Sequence, residues 1–242
     1  MDSWRLKTVR AAARIFLLGA LGIAAAPTQE PDAAAVIRSI DAAVASRVDS
    51  VIGFTDIEHY SVYRGSDETH PVAEMTVKDM YKKGEGKTYT ILSESGSGIV
   101  LRFGLKPLIE NEERINKPGY VDKSWFTSAN YEMKLKAGGV QKLNGRDCYV
   151  LAITPRREKV PNLIDGTLWA DARDGTLAQI DGIASRNPSP FSGTTHMMRQ
   201  YENINGFAMA MHARAESHSL LYGRTVVKIE YSDYKLQLKA GK

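Results

Sequence analysis

Long runs in this chain alternate apolar and polar residues, and this alternation limits the fold more than any other feature. Every second side chain of an extended strand lies on the same side, so such runs are typical of strands with one apolar and one wet face. The apolar positions are Tyr131, Met133 and Leu135 in one run, Phe207, Met209 and Met211 in a second, and Val227, Ile229 and Tyr231 in a third. A fainter run contains Ala73, Met75, Val77 and Tyr81. The sequence from residue 54 onward therefore predicts a mainly antiparallel β protein.

Turn-forming pairs separate these runs. Asn144-Gly145, Asp174-Gly175 and Asn205-Gly206 each lie between two strand-like segments. Asn-Gly and Asp-Gly are the strongest short-range hairpin signals because both residues tolerate positive φ angles. Together the runs and turns predict about ten strands that follow one another as a meander.

Two segments instead have helical features. Between Pro31-Asp32, a typical helix start, and Gly53, a typical stop, the apolar residues recur with a period of three to four. These residues are Ile37, Ile40, Val44, Val48 and Val51. A second, short helix is predicted from about Leu105 to Arg114, with Pro107 near its start and Lys117-Pro118-Gly119 as its stop. The predicted fold class is α+β, mostly antiparallel β, as a curved half-barrel sheet whose concave side carries both helices.

The first 26 residues have the features of a secretory signal peptide. Arg5, Lys7, Arg10 and Arg14 precede a short uncharged apolar run, which ends in Ala24-Ala25-Ala26. The apolar run is shorter than the roughly 20 residues of a membrane span, and an uncleaved N-terminal anchor is the alternative. We therefore expect residues 1–26 to be a signal peptide and residues 27–242 to form a single exported domain.

Charge and cysteine content exclude several classes of protein. The net charge is +4, but the predicted signal peptide holds four basic residues and one acid, so the remainder is close to neutral. A neutral domain has no electrostatic footprint for nucleic acid. Cys148 is the single cysteine, which excludes an intrachain disulfide and a cysteine-based zinc cluster. It lies in an apolar strand-like run, far from residue 26, so we expect a buried core residue and no lipid anchor.

Motifs of catalysis are missing. The chain has no G-x-S-x-G nucleophile elbow and no phosphate-binding glycine loop, and its five histidines are scattered. Glu110, Glu112 and Glu113 are interpreted as the solvated face of the short helix. The sequence does not show which acids converge, so a paired-carboxylate hydrolase stays open as a third hypothesis. We expect a protein that is not an enzyme, with no cofactor, no metal and no catalytic residue.

An apolar cavity is the favoured alternative to catalysis. About ten strands offer more concave surface than two short helices can cover, and uncovered apolar space is suited to an apolar ligand. The candidate lipid-binding residues are Tyr131, Met133, Leu135, Phe207, Met209, Met211, Val227, Ile229 and Tyr231. The alternative interpretation is that each of them belongs to the hydrophobic core beneath the helices and binds no ligand.

The second half of the domain resembles the outer-membrane lipoprotein-sorting proteins, the LolA-like periplasmic carriers. Residues 149–157 (YVLAITPRR) look like the strand exit of that family, and residues 165–171 (DGTLWAD) with 174–180 (DGTLAQI) look like its next hairpin. The resemblance implies a LolA/LolB-like half-barrel with an apolar cavity for lipoprotein acyl chains. Two departures mark a divergent branch: residues 82–84 lack the family's arginine and proline, and residues 93–128 match poorly.

Three functions follow from these observations. The first is a periplasmic carrier of lipid or lipoprotein acyl chains, with transient membrane contact and an inner-membrane complex as its expected partner. The second is an envelope stress sensor or regulator on the same fold. The third is a periplasmic hydrolase, which would require polar groups that converge inside the cavity.

Overall fold

The computed structural model describes residues 31–157, 163–185, 193–219 and 223–240. The predicted signal peptide lies outside these ranges. Helix α1 spans Ala33–Ser50, the single turn α2 spans Gly98–Val100, and α3 spans Lys106–Ile115. A π-helical turn, Leu101–Leu105, joins α2 to α3, and a 3-10 turn covers Val121–Ser124. No helix in the described ranges is both long and apolar enough to cross a membrane.

The strands form one antiparallel sheet. They are β1 Val51–Arg64, β2 Ala73–Lys82, β3 Gly86–Gly96, β4 Tyr131–Leu143, β5 Arg146–Pro155, β6 Ile164–Asp171, β7 Leu177–Ala184, β8 Thr195–Ile204, β9 Phe207–Ser219 and β10 Gly223–Leu238. Their order in the sheet is β3-β2-β1-β10-β9-β8-β7-β6-β5-β4. The sheet is open, with β3 and β4 at its edges. The predicted fold class, an antiparallel ten-stranded sheet with an N-terminal helix and a short second helix, is confirmed.

One row of cross-strand partners runs almost across the whole sheet and defines its faces. The row is Leu135, Leu151, Leu168, Ile180, Arg199, Ala213, Ile229, Tyr60 and Met75. Residues directly opposite each other in antiparallel strands lie on the same face. Helix α1 packs on this face at the Leu151 end, and α3 packs on it at the Tyr60 end. We call this helix-bearing side the inner face and the other side the outer face.

Helix α1 begins where the sequence predicts. The Asp32 carboxylate caps the helix by accepting a hydrogen bond from the Ala34 N–H at 3.0 Å. The predicted stop at Gly53 is wrong, because the helix ends at Ser50 and β1 starts at the next residue. Gly53 lies inside β1, where a Cβ atom would come within 3.1 Å of the Tyr81 carbonyl oxygen on β2. A close approach between strands therefore explains this glycine.

The second helix and the hairpins also follow the sequence. Helix α3 has Pro107 in its first turn and ends at Ile115, before the predicted stop. Asn144 and Asn205 have φ angles of 49° and 52°, as their turns require. Cys148 is fully buried on β5, which confirms its prediction as a core residue.

Candidate functional site

The sheet carries three apolar clusters, and the first two lie on the inner face under the helices. The first lies under α1, where Val36 and Ile40 pack on residues of β4 to β8. The second lies under the helical segment 98–115, where Leu105 and Ile109 pack on β1 and β2. The third is a small cluster of Val51, Phe54 and Met209 at the end of the sheet where α1 enters β1. The two helices therefore cover opposite parts of one continuous face.

The nine candidate lipid-binding residues are divided among these clusters. Tyr131, Met133 and Leu135 belong to the first, Val227 and Ile229 pack against the second, and Phe207 and Met209 belong to the third. Tyr231 is buried opposite Glu58, and Met211 is half-buried near the register shift between β8 and β9. The structure does not bring the nine residues together as one group.

The central strands between the two helices keep small and flexible apolar side chains partly open. Ala213 and Ala215 of β9 lie on the inner face between Met197 of β8 and the β10 residues Val227 and Ile229. All five side chains are half-buried. Met197 packs against the first cluster and the β10 residues against the second, so this central strip joins the two clusters. The strip is a partly open apolar part of the described inner face.

A group of charged residues interrupts the apolar face near the third cluster. Asp56, Glu58 and Tyr60 lie on the same face of β1. Asp79 of β2 is the cross-strand partner of Asp56. We call Asp56, Glu58 and Asp79 the acidic trio. Their exposed fractions are 2%, 1% and 0%. The Lys87 ammonium on β3 lies 3.0 Å from Glu58 Oε1 and 2.7 Å from Asp79 Oδ2.

The trio is unevenly partnered. Glu58 accepts hydrogen bonds from Lys87 and from the Tyr60 hydroxyl. Neither carboxylate oxygen of Asp56 accepts a hydrogen bond in the described structure, but a protonated Asp56 can donate one to Asp79. Burial raises the pKa of Asp56 to about 8, with the Glu58 and Asp79 charges adding to the rise and Lys87 opposing it. Burial likewise raises the pKa of Asp79 against the opposing charge of Lys87.

Arg199 brings a second charge to the inner face. It occupies the central row between Ile180 and Ala213 and interacts with Tyr201, Tyr231 and Glu112. Burial would lower the pKa of Arg199, but these neighbours together raise it. Because α3 supplies Glu112, a charge of the second helix acts electrostatically on the middle of the sheet.

The prediction of a solvated acidic face on α3 is therefore wrong for two of its three residues. Burial raises the pKa of Glu112, and Arg199 opposes this rise. Glu113 is half-buried and accepts a hydrogen bond from the Tyr89 backbone N–H at 3.1 Å. Only Glu110 is exposed. The apolar residues Ile109 and Ile115 of the same helix are buried.

The acidic trio was not found by the sequence analysis, although a signal for it was present. The alternating series Ala73, Met75, Val77 and Tyr81 skips position 79, where an aspartate occupies the buried parity. The series Phe54, Asp56, Glu58, Tyr60 has the same feature on the neighbouring strand. A buried charge in an apolar series requires a partner or a ligand, so these positions were candidates for a site.

The outer face has a different character. Glu68, in the loop after β1, is within ion-pair distance of Arg214, Arg224 and Lys228. Glu216 pairs with Arg224 at 2.8 Å and with Arg214 at 2.7 Å. A shallow cleft of about 310 Å³ lies beside this network and is lined mainly by polar side chains. The network holds strands β9 and β10 to the β1–β2 loop.

Comparisons with known proteins give structural similarity only. No protein-family model and no curated protein matches the chain. A LolA superfamily protein from Nitrosomonas europaea has a TM-score of 0.44 at 13% identity, covering 86% of this chain and 94% of that one. A DUF1329 family protein from Desulfovibrio piger has a TM-score of 0.42 at 17% identity, covering 85% and 95%. A domain described as an outer membrane lipoprotein-sorting protein, from Vibrio parahaemolyticus, has a TM-score of 0.45 at 12% identity, covering 80% and 91%.

Proposed function

We propose that this chain is an exported, periplasmic carrier that holds lipid or lipoprotein acyl chains on its inner face. The observation that carries the proposal is the central strip between the two helices. Its residues Met197, Ala213 and Ala215 are apolar but only half-buried, while the helices pack to either side. Apolar surface that the described helices leave partly open is suited to an apolar ligand.

The energetics are sufficient for a carrier. Burial of a CH₂ group is worth about 0.8 kcal/mol, so a ~16-carbon chain can contribute roughly 10 kcal/mol before ordering costs. Alanines on β9 leave room for such a chain, and methionine adapts its shape to a mobile ligand. No specific polar contact is needed for this affinity.

The sequence supports the same function from another direction. The basic and apolar start of residues 1–26 is that of an exported protein. The segments 149–157 and 165–180 resemble the LolA-like lipoprotein carriers. On this proposal, residues 27–242 act as one domain that receives its ligand during transient contact with a membrane.

One observation favours the hydrolase hypothesis and another opposes it. Polar groups do converge on the inner face, as a hydrolase would require. However, Asp56, Glu58 and Asp79 are each at most 2% exposed, and a general acid and base must reach a substrate and a water molecule. The sensor hypothesis shares the carrier's ligand and differs in its partner.

Adjacent methionines of β8 provide a matched test. Met197 lies on the inner face opposite Ala215, and Met198 lies on the outer face opposite Arg214. Met197→Asp places a charge in the proposed ligand path, whereas Met198→Asp makes the same change beside the outer cleft. Binding of a fluorescent long-chain fatty acid to both purified variants and to the wild type is the measurement.

We expect Met197→Asp to weaken binding at least about tenfold, the equivalent of 1.4 kcal/mol, and Met198→Asp to bind like the wild type. Circular dichroism of both variants controls for folding. Equal binding by the two variants, or no binding by the wild type, would contradict the proposed function.

A further inference from the structure

Two carboxylates face each other in an apolar environment on β1 and β2. Asp56 and Asp79 are direct cross-strand partners, and both are almost completely buried. Like charges in directly opposed positions destabilise a sheet. Phe54 and Tyr81 stack next to them, with ring centroids 5.1 Å apart, and close this end of the face. A proton shared by the two carboxylates or a compensating cation would relieve this repulsion.

The cations among the described residues do not fully provide this compensation. Of these, Lys87 is the one in contact with the trio, and it ion-pairs with Glu58 and Asp79. When all three carboxylates are ionised, one ammonium leaves an excess of two negative charges. Neither oxygen of Asp56 accepts a hydrogen bond from the described residues, although a protonated Asp56 can donate one to Asp79. One divalent metal ion would neutralise this excess.

The spacing of the oxygens also fits a metal ion. One carboxylate oxygen from each member of the trio lies within 4.8 Å of the others. Ca²⁺ is bound by oxygen ligands at about 2.3–2.6 Å and Mg²⁺ at about 2.0–2.1 Å, so small shifts of the carboxylates would bring all three oxygens within reach of one ion. Both oxygens of Asp56 are available, and Asp79 Oδ1 is not used by Lys87.

We propose that Asp56, Glu58 and Asp79 bind one divalent cation of the oxygen-preferring class, Ca²⁺, Mn²⁺ or Mg²⁺. The ion would link β1 to β2 beside the third apolar cluster. Since the trio is buried, uptake of the ion is coupled to folding or to local opening, and its affinity adds to the stability of the folded chain. This site is separate from the central strip, and its test needs no lipid.

Titration of the chelator-stripped protein with Mn²⁺ is the test, because bound Mn²⁺ loses the electron paramagnetic resonance signal of the free ion. We expect one equivalent to bind and the melting temperature to rise with Mn²⁺ or Ca²⁺. Asp56→Asn and Asp79→Asn keep the side-chain shape and should abolish this binding. Both should fold without added metal, because each removes one of the two opposed charges.

Asp171→Asn is the matched control. Asp171 is also 2% exposed, but Arg173 satisfies both of its oxygens, at 3.1 Å and 2.9 Å. This variant should bind Mn²⁺ like the wild type. Lys87→Met removes the competing ammonium and should tighten Mn²⁺ binding, a gain that a site elsewhere on the chain would not show.

Two results would overturn the cation site. The first is a wild-type protein that binds no Mn²⁺ and whose melting temperature does not respond to Mn²⁺, Ca²⁺ or Mg²⁺. The second is undiminished Mn²⁺ binding in Asp56→Asn and Asp79→Asn, or in Glu58→Gln should either of those fail to fold. Neither result bears on fatty-acid binding by the central strip.

Discussion

Asp56 of β1 lies directly opposite Asp79 of β2, and within the described part of the chain the two buried carboxylates share one neighbouring ammonium, that of Lys87. An apolar pair at these positions would cost the chain less free energy. The inner face therefore combines the half-buried central strip with the buried acidic trio. We propose that the strip binds the apolar ligand and that the trio binds a cation.

Two methionines of β9 are expected to respond differently to the same change. Met209 is 3% exposed in the third cluster, whereas Met211 is half-buried. Met209→Asp places an unpaired charge in the core and should lower the free energy of unfolding by about 3 kcal/mol or more. Met211→Asp should cost far less, because its carboxylate can reach water.

Urea denaturation and fluorescent fatty-acid binding on both variants check this expectation. Met211→Asp should retain the fold and lose binding if Met211 lies in the ligand path. Equal loss of stability in the two variants would show that Met211 is core, and the candidate lining would then exclude it.

Two glycines of neighbouring strands are expected to be irreplaceable. Gly166 and Gly182 are cross-strand partners, and a Cβ atom at Gly182 would lie 2.3 Å from the Asp165 carbonyl oxygen. Gly182→Ala should therefore lower the free energy of unfolding by about 2 kcal/mol or more. Gly98→Ala is the control, since a Cβ atom there meets nothing within 4 Å. Thermal melts of both variants decide, and similar melting temperatures would refute this account of the Gly166–Gly182 pair.

Acid should weaken the outer-face network. Hydrogen bonds from Arg224 lower the pKa of Glu68 and of Glu216 to about 2. In the unfolded chain a glutamate has a pKa of about 4.3. A lowered pKa in the folded state stabilises the protein above pH ~4.3, and this contribution is lost as the pH falls toward about 2.

Urea midpoints between pH 7 and pH 3 measure this dependence. Glu68→Gln and Glu216→Gln should each flatten it, whereas Glu202→Gln, an exposed control on β8, should not. A pH dependence that is identical in all three variants would be inconsistent with the network as the cause.

The connection between α1 and the segment before β4 should control ligand release. Asp41 of α1 accepts hydrogen bonds from the Ser128 backbone N–H at 2.8 Å and from its hydroxyl at 2.6 Å. Asp41→Ala should cost about 1–3 kcal/mol of stability and speed fatty-acid dissociation, because α1 is less firmly held on the inner face. Asp49→Ala, at an exposed position of the same helix, is the control. Stopped-flow dissociation rates that are equal in both variants would rule out this role for α1.

The sequence was sufficient to predict the helices, strands and turns. It was insufficient to predict which distant residues come together in the fold. Asp32, Pro107 and the Asn-Gly turns act locally, so the helix starts and hairpins were predictable from neighbouring residues. The shift between Gln200 and Tyr201 was not predictable, because a bulge leaves no mark in the alternation. It places Ala208 and Ala210 against the first cluster and Met209 in the third. The partnership of Asp56 with Asp79 depends on strand register, which is a long-range property.

Photocrosslinking tests the carrier proposal most directly. A long-chain fatty acid with a diazirine in its tail is bound to the purified protein, irradiated, and mapped by mass spectrometry of peptides. We expect adducts on the inner face of β8 to β10, at residues such as Met197, Ala213 and Ile229. Adducts confined to outer-face residues such as Met198, His212 and Lys228, or no adduct at saturating fatty acid, would contradict a ligand site on the inner face.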